Sequence, residues 1–178
     1  MLDVLIVGGA TSGSFFARRM AEQGFSVAVI DASPEEKIGS KYDIFHVCKR
    51  DFENFGLPFP SKDDGTFAFE FSEGLTSSPF NNYPKTTYDT VVGMHMHEYV
   101  LKMNRWAKDV GAEFIYGARF SAPIFENGRI VGVKYIEDGE EELSLSCNLG
   151  TWSDSNEGEG LFIDCPLEKV YLGRPLSY

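Results

Sequence analysis

Apolar and polar positions along the chain follow two rhythms. Leu2 to Val7 (L-D-V-L-I-V) is a nearly unbroken apolar run, the pattern of a parallel strand buried on both faces. From Ser12 to Gln23 the spacing turns helical: Phe16, Met20 and, more weakly, Ala17 and Ala21 recur among Arg18, Arg19, Glu22 and Gln23. Gly24 suits a helix C-cap, and Phe25 to Ile30 is a second apolar run that ends at Asp31. Strand, glycine turn, helix, glycine and strand in this order predict a right-handed βαβ crossover.

Further along, residues 32–40, with Pro34 and Gly39, read as a loop, and 41–56 as a helix with an irregular start, ending at Gly56. Residues 57–64 form a proline-rich turn region. Thr66 to Ser72 alternates strictly, which puts Phe67, Phe69 and Phe71 on one face of a strand. Residues 77–84 read as a loop and 86–94 as a further strand. Met96, Tyr99, Val100, Met103, Trp106, Ala107 and Val110 give residues 95–110 one apolar helical face, capped by Gly111 and followed by a short strand over 112–116. A β-meander comes next: strands over 118–126, 129–137 and 141–146, joined by Asn127-Gly128, a type I′ turn signal, and by Asp138-Gly139. After Cys147 the pattern weakens; 153–160 is loop-like, and 161–163 and 170–172 are marginal strands. The expected fold class is therefore α/β, a Rossmann-like βαβ sheet with an inserted β-meander and substrate-side strands. The expected organisation is one Rossmann-like region over 1–146 with an inserted strand-and-loop segment at 57–94, then an irregular tail over 147–178.

The composition narrows the function. The chain has 178 residues, 43% of them hydrophobic, and a formal net charge of −11 at pH 7. So acidic a chain repels phosphate backbones, which argues against nucleic acid as a partner. A single dinucleotide remains compatible, because backbone N–H groups and a helix dipole bind it rather than net charge. Cys48, Cys147 and Cys165 show no C-x-x-C spacing and are odd in number. That speaks against zinc or a disulfide framework and for a cytoplasmic setting. Met1 leads straight into an apolar strand without a basic region, so no signal peptide is expected, and no apolar run reaches membrane-spanning length.

Gly8 to Gly13 (G-G-A-T-S-G) stands where a dinucleotide fold turns from strand to helix. A pyrophosphate needs close donors, and a helix N-terminus supplies unpaired N–H groups and a positive dipole end. Gly8 allows the sharp turn, Gly13 lets helix and strand pack closely, and the hydroxyls of Thr11 and Ser12 can add donors. Asp31 lies about twenty residues further on, at the end of the second strand, where a carboxylate accepts ribose hydroxyls and disfavours a 2′-phosphate. The pattern G-x-G-x-x-G is broken at its middle position by Ala10, so packing glycines without a nucleotide are the competing reading.

The chain resembles the FAD-dependent oxidoreductases of the glutathione-reductase-like superfamily, in the geranylgeranyl-reductase and aromatic-hydroxylase branch. The resemblance rests on V-L-I-V-G-G-A-T-S-G with V-A-V-I-D, E-E-K-I-G-S (35–40), Y-V-L-K-M-N-R-W-A-K-D-V-G-A-E-F (99–114) and F-E-N-G-R-I-V-G-V (125–133), in that order, and covers residues 1–146. It implies an FAD/NAD(P)-binding fold with FAD as cofactor, Gly8, Ala10, Thr11, Ser12 and Gly13 at the pyrophosphate, Asp31 at the ribose and the backbone near Phe120 at the adenine. It also implies NAD(P)H as an electron donor and a small hydrophobic substrate, with peripheral membrane contact left open. Ile38 stands where reductases of this branch often have a cysteine, and Met96 where an arginine usually precedes the long helix. The later motifs of the family are missing after Ser146, so a shortened chain is expected. A non-catalytic nucleotide-binding remnant and an NAD-dependent enzyme are the alternatives, and no catalytic side chain emerges.

Other groupings weigh less. His95 and His97, with Glu98 beside them, are metal-capable at i, i+2, but a strand-to-helix junction explains them as well, and His46 is the only other histidine. The phenylalanine stripe is expected to pack on the core rather than line a substrate cleft. Glu140 and Glu142 read as a solvated strand end, and nothing near Cys48 marks it as a reactive thiol.

Overall fold

The structure, a computed structural model, describes residues 2–80, 83–137 and 142–152. It divides into two compact units. Among the described residues, one draws on 2–38 and on those from 100 to 152, and the other on those from 39 to 99.

The first unit is built on β1 (Leu2–Val7), α1 (Thr11–Glu22), β2 (Val27–Asp31), a 3₁₀ turn (Glu35–Lys37), the greater part of α3 (Met96–Asp109), β6 (Glu113–Tyr116), β7 (Ala118–Glu126), β8 (Arg129–Glu137) and β9 (Glu142–Trp152). Its sheet has the order β6-β2-β1-β9-β8-β7. The four strands β6, β2, β1 and β9 are mutually parallel, and β8 and β7 continue the sheet antiparallel. The unbroken apolar runs are explained by burial on both faces. Val4, Ile6, Val27 and Val29 pack with Ala17 and Ala21 of α1 and Ala107 of α3. Leu5, Ala28 and Ile30 face the other way, onto Ala118, Val133 and Tyr135 of the meander.

The predicted punctuation holds. Gly24, with φ of +87°, ends α1 in a Schellman motif: its N–H donates to the Ala21 carbonyl (2.9 Å) and the Phe25 N–H to the Met20 carbonyl (3.2 Å). Gly111 closes α3 in the same way, through Lys108 and Ala107. Asn127 and Gly128 both take positive φ, 50° and 78°, as a type I′ turn requires.

One expectation for this part of the chain is corrected. The third meander strand does not stop at Ser146, where the irregular tail was expected to begin. It continues to Trp152 and pairs in parallel with β1, from Leu2 with Cys147 to Val7 with Trp152. A single strand thus serves two ladders, antiparallel to β8 over 142–146 and parallel to β1 beyond. Its mixed sequence, C-N-L-G-T-W, has neither a two-fold alternation nor an apolar run, so the pairing is set by the neighbour rather than by local pattern. The expected strands at 161–163 and 170–172 lie outside the described residues.

The second unit contains β3 (Ile44–Cys48), α2 (Lys49–Phe55), β4 (Phe67–Thr76) and β5 (Lys85–His95), with sheet order β3-β5-β4, all antiparallel. The insertion is therefore larger than 57–94. The helix expected over 41–56 is a strand in its first half, because Ile44 to Cys48 pairs with Val91 to His95. Phe52, Val92, Met94 and Tyr99 form the buried side, with Phe45 and Tyr99 rings 5.3 Å apart.

The phenylalanine stripe is also corrected. A bulge between Phe67 and Phe69 places Phe67 opposite Met94 and Phe69 opposite Gly93, so the two rings leave on opposite faces. Phe69 and Phe71 are 40% and 37% exposed and gather with His46 around Gly93. A Cβ at Gly93 would lie 2.7 Å from the Phe69 ring. His95 ends β5 and His97 lies in the first turn of α3, at the junction the spacing suggests. Burial pushes the Cys48 thiol above its ordinary pKa, and Asp89 and Asp51 reinforce this, which disfavours the thiolate form.

Candidate functional site

Strand β1 ends at Val7, and the chain turns at Gly8, whose φ is 102°. The Gly8 amide still donates to the Ile30 carbonyl of β2 (2.8 Å), so the turn starts from within the sheet. Ala10 is the extended N-cap of α1, with no side-chain cap. A Cβ on Gly13 would sit 1.8 Å from the Gly8 carbonyl oxygen, so the first turn of α1 lies directly on the glycine turn and admits no side chain there.

The first bond of the helix runs from the Ser14 N–H to the Ala10 carbonyl (2.9 Å). Inside the helix no carbonyl is therefore available to the N–H groups of Ala10, Thr11, Ser12 and Gly13. No acidic residue occupies the first turn of α1. A positive dipole end with open donors is an anion site in chemical terms. Its place in the sheet is also informative. β1 has β2 and then β6 on one side and β9 on the other, so the turn lies at the point where strand order reverses, where α/β sheets open a crevice at their carboxyl ends.

Asp31, the last residue of β2, stands beside this turn. One carboxylate oxygen accepts the Gly9 N–H (2.7 Å) and the other the Ser33 N–H (2.7 Å). The carboxylate ties the glycine turn to the loop after β2, and each oxygen keeps a second lone pair for another donor. Gly8, Ala10, Thr11, Ser12, Gly13 and Asp31 are thus brought together. Phe120 is not part of this cluster: it lies on β7, opposite Tyr135, and packs against the Leu5–Ile30 side of the core.

Behind the turn lies a buried polar network that sequence reasoning missed. The Ser14 hydroxyl, fully buried, donates to the Gly9 carbonyl (2.8 Å). Asn104 of α3 is 1% exposed. With its amide nitrogen toward the acceptors, its two hydrogens are shared among the Gly9 (2.9 Å) and Val100 (3.2 Å) carbonyls and Ser14, while its oxygen accepts from the Tyr116 hydroxyl (3.1 Å). That orientation satisfies every group, as burial demands. The available signal was a polar residue four positions after Val100 on an otherwise apolar helix face.

The network reaches the surface through Lys108, whose ammonium donates to Glu35 (2.7 Å) and lies 4.8 Å from the centre of the Tyr116 ring. The hydrogen bond from Lys108 holds the Glu35 carboxyl below its ordinary range. Burial pulls Lys108 down, but the hydrogen bonds with Glu35 and Tyr116 outweigh it and leave its pKa raised. Burial likewise raises the Tyr116 phenol, against the hydrogen bonds with Lys108 and Asn104.

No family model matches the chain. In sequence it is similar to the digeranylgeranylglycerophospholipid reductase of Sulfolobus acidocaldarius, 28% identical over 148 residues that cover 80% of this chain and 31% of the relative. The enzyme of the same name from Haloferax volcanii is 28% identical over 141 residues, covering 79% and 33%. The chain spans about a third of the length of these curated relatives. In fold it is similar to a geranylgeranyl bacteriochlorophyll reductase-like protein of Thermoplasma acidophilum, with a TM-score of 0.73 at 20% identity, over 86% of this chain and 39% of that one. The myxobacterial FAD-dependent chondrochloren halogenase CndH follows, with a TM-score of 0.68 at 18% identity, over 87% and 37%.

A parallel sheet with an open helix N-terminus at its switch point defines the class as a Rossmann-type α/β fold. Over the part it spans, the chain is similar in sequence to the digeranylgeranylglycerophospholipid reductases and in fold to the geranylgeranyl reductase-like protein.

Proposed function

We propose that this chain is the flavin-binding lobe of an FAD-dependent oxidoreductase and holds the ADP half of FAD at the β1–α1 turn. The observation that carries the reading is the uncapped N-terminus of α1 at the switch point, with the Asp31 carboxylate beside it. The N–H groups of Ala10 to Gly13 meet the pyrophosphate, and the hydroxyls of Thr11 and Ser12 add donors. The remaining lone pairs of Asp31 accept ribose hydroxyls and repel a 2′-phosphate. Ala10 adds only a methyl group at the turn, and the ligand is held through its backbone N–H. The β7 backbone near Phe120 flanks the adenine.

FAD held there would supply two-electron redox chemistry, with a reduced nicotinamide as the proposed electron donor. The proposed substrate is a small hydrophobic or lipid-like molecule, reached in the cytoplasm or at a membrane surface. The digeranylgeranylglycerophospholipid in the names of the sequence relatives supports this, as does the half-exposed Phe69–Phe71 face. Among the described residues no helix is long and apolar enough to cross a membrane.

Titration of the full chain with FAD, followed by flavin fluorescence and melting temperature, tests the reading. Saturable binding that ADP competes and riboflavin does not is expected. Failure to bind FAD, or displacement of FAD by an equal concentration of NAD, would overturn it.

A further inference from the structure

We propose that Ser14 and Asn104 are positioning residues that aim the Ala10 N–H at the diphosphate of the ligand, an inference that rests on the FAD-binding reading above. Both polar ends of Gly9 are held. Its N–H is fixed by Asp31 at 2.7 Å. Its carbonyl oxygen takes two buried donors, the Ser14 hydroxyl at 2.8 Å and the Asn104 amide at 2.9 Å.

The Gly9–Ala10 peptide is trans, so its C=O and N–H point in opposite directions. Drawing the Gly9 carbonyl inward onto α1 and α3 turns the Ala10 N–H outward, on the side away from Ser14 and Asn104. It then joins the N–H groups of Thr11, Ser12 and Gly13 that the helix leaves without acceptors. A glycine turn is conformationally permissive, and a peptide with unheld ends can rotate. Two donors on one carbonyl remove that freedom before the ligand arrives, which is preorganisation in its usual sense. Both donors come from elements other than the turn, α1 and α3, so the turn is set by tertiary contacts.

The network is also part of the core, and a merely structural role would weaken every ligand alike. The two roles separate by ligand. An ADP titration reads the diphosphate contact, whereas adenosine, which lacks phosphate, reads the rest of the site. Full-length wild type, Asn104→Leu and Ser14→Ala are titrated with both, with backbone amide NMR resonances followed and melting temperatures recorded alongside. In each variant ADP is expected to bind about tenfold more weakly, as for the loss of one hydrogen bond to a charged group. Adenosine binding is expected to stay within about twofold, and the ADP-induced shift of the Ala10 amide to shrink. If Asn104→Leu does not fold, Ser14→Ala, which removes one hydroxyl from a helix, carries the test.

Unchanged ADP affinity, or parallel loss of ADP and adenosine, would overturn the positioning role while leaving the FAD reading intact. A wild-type chain that binds neither FAD nor ADP would instead overturn the FAD reading, and the positioning role with it.

Discussion

The carboxylate of Asp31 accepts the Gly9 N–H at 2.7 Å, a bond that joins the end of β2 to the turn after β1. The same side chain holds the Ser33 N–H with its other oxygen. The acidic residue that the sequence marks for a ribose is thus also the tie that shapes the glycine turn.

The two roles of Asp31 can be separated by substitution. Asp31→Ala removes both acceptors, leaves two partly buried donors to water, and is expected to cost about 1–3 kcal/mol of folding stability. Asp31→Asn keeps one oxygen and should cost less, yet it replaces half of the ribose acceptor with a donor and should still weaken FAD severalfold. Urea midpoints and FAD titrations on both variants check this. Unchanged FAD affinity in Asp31→Asn would remove the ribose role and leave the structural one.

Gly13→Ala tests the contact between α1 and the glycine turn. Its Cβ would lie 1.8 Å from the Gly8 carbonyl oxygen, and the obstacle is backbone, which cannot swing aside. The helix must lift or the turn must open. A loss at the upper end of the roughly 1–3 kcal/mol typical of overpacking is expected, together with loss of FAD binding. Gly24→Ala is a useful comparison. Its φ of +87° makes it strained, but nothing lies within 4 Å of the added Cβ, so stability should fall while FAD affinity is kept. Equal effects of the two substitutions on FAD affinity would contradict this assignment.

Tyr99 predicts an alkaline limit to stability. Burial, with Asp64 adding to it, pushes its phenol up to about 12. In the unfolded chain a tyrosine titrates near 10, so the folded state holds the proton longer. The resulting stability is whole below about pH 10 and is lost as pH rises toward 12, at most about 2–3 kcal/mol. Denaturant unfolding between pH 8 and 12 should show a steeper decline for wild type than for Tyr99→Phe. Parallel profiles for the two proteins would refute the prediction.

How much of this was legible in advance depended on the range of the interactions. The βαβ start was legible because each of its parts is local. The apolar runs of β1 and β2 report burial on two faces. The glycines Gly24 and Gly111 end their helices through bonds within one turn, and Asn127-Gly128 closes a hairpin on itself. Gly13 and Asp31 were recognisable because their spacing from Gly8 is set by the length of one strand and one helix.

Tertiary structure decided the rest. Ile44 to Cys48 became a strand because β5 offers it a ladder, although its own pattern allows a helix. Residues 147–152 became the fourth parallel strand because β1 had an open edge, whatever their composition. A bulge sent Phe67 to the face opposite Phe69, which no alternation rule foresees. Ser14 and Asn104 are ninety residues apart and meet only when α3 packs beside the glycine turn. By itself, then, the sequence determined the elements whose hydrogen bonds and burial close within a few residues, and with them the place of the proposed nucleotide site. Strand partners, bulges and the buried donors behind that site depend on groups distant in sequence, and only the packed structure brings them within reach.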